Sequence, residues 1–277
     1  MTDPVRRPAF RFTANDSLQY HFFADNRLFS IRMAYRGGHW THAAWIYDGS
    51  AREIAKSPNL WVQSDSPYLD IQSDIAEVRD EDGEIVVIVH AASSEDSFEA
   101  RVRPLNTLTW MDTLSESNEE VLHLPDLTGT LKFRGKTYDT KGYCKHVMWH
   151  TGPRYTGYRF LHGFVDDGEL AIWSADAVFA YQKYDYFKMA KPDGTIIAAD
   201  YEQSSHKQNT VYARIGERAI KVDFEELGMW ELPIVNSSSD MVIMQRYGNI
   251  RYTEGSVVKT GFALTEYGFG KYSDIKL

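Results

Sequence analysis

Four Asp-Gly pairs constrain this chain more than any other feature: Asp48-Gly49, Asp82-Gly83, Asp167-Gly168 and Asp193-Gly194. Each supplies the positive φ angles of a tight hairpin turn, and three of them sit between clear strand patterns. SDIAEVRDEDGEIVVIVHAASS (73–94) reads strand, turn, strand, and SFEARVRPLNTLTW (97–110) continues the meander. YRFLHGFVDDGELAIWSADAVFAY (158–181) repeats the arrangement with longer arms. The fourth pair separates YQKYDYFKMA from TIIAADYEQ, and further strands are expected in QNTVYARI, RAIKVDFEEL, MVIMQRYGNIRYTEG and VVKTGFALTEYG. A helical protein has no use for such punctuation. The reading is an all-β chain of barrel or sandwich type with very little helix.

One helix is expected, in DGSAREIAKSP (48–58): Ser50 caps, Glu53 closes a capping box and Pro58 stops it. The acidic TLSESNEEVLHLPDLTG (113–129) has no clean period and reads as a linker. It divides the chain into halves of 1–120 and 121–277, within the length of one body with two similar parts.

Composition narrows the function. A net charge of −9 without a Lys/Arg run argues against a nucleic-acid partner. No stretch approaches the roughly 18 apolar residues of a membrane span, so stable membrane insertion is not expected. The arginines of the opening MTDPVRRPAFRF precede no apolar stretch, and Cys144 is the only cysteine; both suit a cytoplasmic protein. The oligomeric state is not legible. Aromatic residues are abundant, with 17 Tyr, 14 Phe and 7 Trp. In that number they suit the inside of a β structure holding an apolar guest.

Several chemistries fail on spacing. GTLKFRGKT (129–137) has five residues between its glycines where a phosphate loop needs four, and no helix follows; it reads as a turn, as does YGFGKY (267–272). His39, His42, His146 and His150 offer four imidazoles. On a strand, however, positions 146 and 150 stand roughly 13 Å apart, too far for one metal, so no metal is expected. Cys144 and His146 would lie about 7 Å apart, beyond the reach of an activated thiol. No G-x-S-x-G elbow is present.

Acid–base chemistry in an aromatic cavity remains. GYCKHVMWHTGPR (142–154) supplies His146 with Tyr143, Trp149 and His150; the hairpin after it supplies Trp173 and Asp176; the last strand supplies Glu266. An imidazole and a carboxylate in a dry pocket have shifted pKa values and can move protons. Trp and Tyr faces favour a developing cation. The alternative is that His146 bonds a core carbonyl and the aromatics simply pack.

From Leu127 to Phe179 the order is a strand, RGKTYDTKGY, a histidine–tryptophan stretch, GPR, and a strand pair around DDGELAIWSADAVF; the chain closes with GFALTEYGFG. This resembles the AttH/CrtC-type proteins, which include hydroxyneurosporene synthase (carotenoid 1,2-hydratase), kievitone-hydratase-like enzymes and Diels–Alderase relatives. In the first half the resemblance rests on strand count and on the aromatic-rich GGHWTHAAW (37–45), which adds Trp40 and His42 to the substrate-binding set. The resemblance implies two lipocalin-like (calycin) β-barrel halves with a ligand site in or between them. It also implies a cofactor-independent enzyme that hydrates, isomerises or cyclises a hydrophobic terpenoid- or polyketide-like small molecule. Position by position, His146 stands for the motif histidine, Trp149 for its tryptophan one residue displaced, and Asp176 for the later acid; Lys145 replaces the aspartate before the histidine. The expected catalytic set is His146, Asp176 and Glu266; the expected substrate-binding set is Tyr143, Trp149, His150, Trp173, Trp40 and His42. A lipocalin-like binding protein without catalysis, and a partner-binding scaffold, are the alternatives.

Overall fold

Asp25 and Asn26 both take positive φ, 51° and 56°, and fold β1 (Asn15–Ala24) back onto β2 (Arg27–Arg36). The short polar side chains of Asp and Asn tolerate this left-handed region, so the pair works as a hairpin turn without glycine. The same device, as Asp82-Gly83 and as Arg134-Gly135, makes two more tight hairpins.

The computed structural model describes the backbone of residues 15–36, 39–57, 60–62, 71–105, 110–115, 119–123, 126–149, 154–165, 168–179, 182–200, 204–207, 209–235 and 240–272. Side chains are described at 17–34, 42–57, 71–105, 126–145, 157–165, 168–174, 187–199, 205, 207, 209–231, 240 and 242–270. The chain forms two units, Met1–Thr151 with Asp274–Leu277, and Gly152–Ser273.

In the first unit, β3 (His39–Tyr47), β4 (Ala51–Ser57) and β5 (Leu60–Val62) follow β2. Next come β6 (Ile71–Ser73), β7 (Ala76–Glu81), β8 (Glu84–Val89) and β9 (Phe98–Pro104). The unit ends with β10 (Trp110–Ser115), β11 (Glu119–His123), β12 (Leu127–Phe133) and β13 (Lys136–Trp149). All pairing is antiparallel, in the order β4-β3-β2-β1-β13-β12-β9-β8-β7-β6-β5, with the β10–β11 hairpin attached to β13. β5 returns near β3, so the sheet nearly closes into a barrel. Its interior is one apolar cluster that includes Leu18, Phe22, Phe29, Ile31, Met33 and Val87.

The second unit repeats the plan with β14 (Arg154–Val165), β15 (Leu170–Phe179), β16 (Gln182–Ala190), β17 (Ile196–Asp200) and β18 (Ser204–Lys207). It continues with β19 (Thr210–Ile215), β20 (Arg218–Val235), β21 (Asp240–Glu254) and β22 (Val257–Tyr272). The order is β17-β16-β15-β14-β22-β21-β20-β19-β18, and β17 comes close to β19, again nearly closing the sheet. Leu161, Ile172, Phe187, Val222 and Ile250 belong to its core. The expected class, all-β with two barrel-like sheets and very little helix, is what the chain adopts. Among the described residues no helix is long and apolar enough to cross a membrane.

Four expectations change. Residues 51–57 are strand β4, not a helix, and pair with β3. A bulge between the Ala44 and Trp45 pairings makes Ile54 and Ala55 both buried, which breaks the alternation and imitates a helical face. The 113–129 stretch is not a linker, because β10 and β11 form a hairpin within it and β11 pairs with β13. YGFGKY is not a turn but the end of β22. The units meet at Thr151/Gly152 rather than at residue 120, because β13 is the direct partner of β1 and so belongs to the first sheet.

Candidate active site

Both sheets bury side chains on the face opposite their core, and there the ionisable groups collect. In the second unit, Leu161 and Ile172 point into the core, so strand alternation turns their neighbours His162 and Trp173 to the other face. His162 stands opposite Trp173 on β15 and opposite Leu264 on β22. It is 1% exposed, and its ring lies 4.9 Å from that of Trp173, 5.5 Å from Phe164 and 6.3 Å from Phe160. Gly163 lets β14 approach this closely: a Cβ there would meet the Ala263 Cβ at 2.6 Å and the Phe262 carbonyl at 2.7 Å.

Glu266 lies on β22, opposite Phe160 and two residues beyond His162's partner Leu264. Diagonal neighbours of this kind stand roughly 7–8 Å apart, within reach of long side chains. Glu266 is 7% exposed, and its Oε1 accepts a hydrogen bond from Gln245 Nε2 at 2.7 Å. That amide orients the carboxyl group without supplying a compensating charge. A buried carboxyl group, an imidazole and three aromatic rings therefore share one patch of one sheet. Such a patch can donate or accept a proton beside the apolar body of a ligand.

The first unit carries a polar counterpart. Ser17, Gln19 and His21 alternate with the core residues Leu18, Tyr20 and Phe22 along β1, yet all three are buried. Arg32 Nε and Gln19 Nε2 both donate to Ser17 Oγ, at 2.9 and 3.2 Å. His21 Nε2 is 3.4 Å from Gln19 Oε1, and His21 Nδ1 is 2.7 Å from Ser30 Oγ. Because the Gln19 oxygen can only accept, His21 Nε2 carries the proton there, and in the neutral ring Nδ1 accepts from the Ser30 hydroxyl. Tyr143 on β13 is fully buried, with its ring 4.8 Å from His21 and 6.3 Å from Phe23. Lys145, opposite Gln19, is buried on the same strand.

The residues singled out from sequence distribute as follows. Glu266 and Trp173 fall on one face of the second sheet, on the strands either side of β14, and Tyr143 joins the buried polar face of the first. The backbone of His146 stands opposite Leu18 and Leu122, that of Trp149 opposite Asn15 and Glu119, that of Trp40 opposite Tyr35, and that of Asp176 opposite Arg159 and Asp185. The side chains of these four lie outside the described residues, as does His150 entirely. The four-histidine metal question falls with them, since only His42 among the four has a described side chain. Cys144 is buried in the first core, and burial pushes its thiol well above the ordinary range, so it packs as an apolar residue.

Sequence reasoning missed His162 and His21. His162 lies inside a strand already recognised, next to a glycine whose close strand contact was a usable signal. An open depression of about 430 Å³ in the first unit, lined by Ile88, Phe98, Lys132, Phe133 and Arg134, has no buried ionisable group and is not the site.

Three solved structures are similar to this chain over most of its length. The AttH candidate from Nitrosomonas europaea superposes with a TM-score of 0.60 at 12% identity, covering 96% of both chains. The chain has the fold of that protein. Kievitone hydratase from Nectria haematococca matches with a TM-score of 0.58 at 10% identity, over 93% of this chain and 89% of its own. CghA with bound Sch210972 matches with a TM-score of 0.57 at 10% identity, over 95% and 90%. No protein-family model and no curated protein sequence matches. The expected two-half lipocalin-like architecture thus agrees with structures of the AttH and kievitone hydratase type.

Proposed function

We infer that the protein is an enzyme that moves a proton on a hydrophobic small molecule without a cofactor, in a hydration, isomerisation or cyclisation. The observation that carries this reading is Glu266: a buried carboxyl group, held by an amide and set among His162, Trp173 and Phe160 on one sheet face. An aromatic cage alone binds; a carboxyl group within it also transfers protons. That kievitone hydratase shares the fold supports the class of reaction.

In the hydration direction, the Glu266 carboxylic acid gives its proton to one carbon of an alkene. The electron-rich faces of Trp173 and Phe160 attract the cation that develops at the other carbon. Water adds there, and its released proton returns to the Glu266 carboxylate or passes to His162. Loss of a proton from a neighbouring carbon to the Glu266 carboxylate instead gives an isomer; attack by a second alkene closes a ring and moves the cation to that alkene's far carbon, which then loses a proton to the same carboxylate. The substrate class that suits these steps is a terpenoid- or polyketide-like olefin.

The test is solvent-deuterium incorporation. The protein is incubated in D2O with a panel of terpenoid and polyketide olefins, and the carbon skeletons are read by NMR. Deuterium should enter an olefinic position with wild type and about a hundredfold more slowly with Glu266→Gln, the usual scale for a lost acid–base group. Wild-type binding of an olefin without deuterium entry would make this a binding protein. Equal rates in both proteins would remove Glu266 from the chemistry.

A further inference from the structure

The second barrel has a cleft on the sheet face that the proposed chemistry does not use. Strand alternation puts Leu161, Thr265 and Arg246 on the inward side of β14, β22 and β21, and the ladders set the three side by side. Arg159 and its β22 partner Tyr267 form the next inward rung. These residues line a cleft that leaves about 20 Å³ for the centre of a water-sized group, room for the two oxygens of one small group. Beneath it the core is closed by Leu161, Val211 and Phe224, so no apolar body enters the barrel here.

Two side chains in the cleft are left incomplete. Thr265 is 9% exposed, and its hydroxyl oxygen has no hydrogen-bond partner among the described residues. Buried hydroxyl groups are nearly always paired. Arg246, directly opposite and 14% exposed, donates through Nε to Glu226 at 2.5 Å and through Nη2 to Asn209 Oδ1 at 2.8 Å. Its Nη1 makes no hydrogen bond among the described residues. Each guanidinium lies over a ring: Arg246 Cζ is 5.1 Å from the centre of Phe224, and Arg159 Cζ is 4.8 Å from that of Tyr267. The rings hold these planar groups by their faces and leave the N–H edges for recognition.

The described carboxylates nearby accept from donors of their own: Glu226 from Arg246, Asp223 from Thr210, and Glu266 from Gln245 on the opposite face. What the cleft still offers is donors beside positive charge, and such a place selects a negatively charged group that only accepts. We propose that this cleft binds the carboxylate of a short organic acid, held between Arg246 Nη1 and the Thr265 hydroxyl, with Arg159 as a second positive charge. The flat carboxylate matches the guanidinium edge, and the rest of the acid points out into water. The site does not use the Glu266 carboxyl group and stands whether or not that group transfers protons.

The experiment titrates the full-length protein at fixed ionic strength with sodium acetate, sodium chloride and the neutral counterpart acetamide. The arginine Nε–Hε resonances are followed by ¹⁵N NMR, with Arg246 assigned by the signal lost in Arg246→Gln. In wild type, acetate should shift the Arg246 resonance to saturation and bind at least tenfold more tightly than chloride or acetamide. Thr265→Val, which keeps the shape and removes only the hydroxyl, should weaken acetate at least fivefold, and Thr265→Ser should restore it. An Arg246 resonance that ignores acetate overturns the proposal, as does chloride or acetamide binding as tightly as acetate. Undiminished acetate binding in Thr265→Val overturns it too. Should Arg246→Gln fail to fold, the comparison of wild type with Thr265→Val decides, read on whichever arginine resonance acetate moves.

Discussion

The imidazole of His162 lies 4.9 Å from the indole of Trp173, directly across the β14–β15 ladder, with their planes inclined at 55°. The indole is fixed by the same cross-strand pairing that fixes the imidazole, so its π face is held ready before any ligand arrives. Replacing Trp173 with Phe keeps an aromatic ring but weakens the attraction for a cation by about 1 kcal/mol. Turnover in the deuterium assay should fall about fivefold, with substrate affinity little changed. An unchanged rate would mean that the indole only packs.

His42 makes the first unit sensitive to acid. Its pKa falls from 6.5 in the unfolded chain to about 4 in the fold, through burial; the Asp74 carboxylate accepts the hydroxyl of Ser57, the residue paired with His42 across the ladder. Between these values the unfolded chain binds a proton that the folded chain refuses, so stability falls as pH falls. The loss approaches about 3 kcal/mol at full effect. Urea titrations from pH 7 to pH 4 should show a shallower decline in His42→Phe than in wild type. Parallel curves would place His42 in contact with solvent.

The Arg218–Glu254 pair contributes in the opposite part of the acid range. Arg218 donates to both carboxylate oxygens, and the Tyr252 hydroxyl donates to Oε2 at 2.5 Å. The Arg218 hydrogen bond, followed by that from Tyr252, lowers the Glu254 pKa to about 2 from 4.5. The stabilisation is therefore complete above about pH 4.5 and disappears as pH falls through about 2. Because Arg218 is partly exposed, screening reduces it to about 1 kcal/mol. Glu254→Gln should lower the urea midpoint at pH 7 and match wild type near pH 2.

Gly163 tests the close approach of β14 and β22. An alanine Cβ would press on the Ala263 Cβ and on the backbone carbonyl of Phe262, which is not free to retreat. Gly163→Ala should cost about 1–3 kcal/mol, measured as a drop in unfolding temperature. Activity should fall with it, because His162 is the adjacent residue.

The β class was legible because hairpin turns need positive φ, and Asp-Gly pairs announce it. The β4 bulge was not, because two successive inward residues satisfy a helical pattern as well as a broken strand pattern. The pairing of β11 with β13 was also hidden: its acidic residues carry no local sign that a partner strand waits beyond β12. At the site, Glu266 and Trp173 stood out as a carboxylate and a large ring, on strands that lie either side of β14. His21 did not, because Ser17-x-Gln19-x-His21 is how a solvent-facing edge reads. Alternation tells which residues share a face, but not whether that face is covered.

β1 pairs with β13 from Asn15↔Trp149 to Phe23↔Lys141. β1 therefore waits for more than a hundred further residues to be made before its ladder with β13 can form. Closing so distant a contact is entropically slow, and it sets the pace of folding for the sheet. Until then Ser17, Gln19 and His21 meet only water and β2, and their polar character keeps the waiting strand from sticking to other chains. The hydrogen-bonding residues that line the finished face thus also act during synthesis, as protection for a nascent edge.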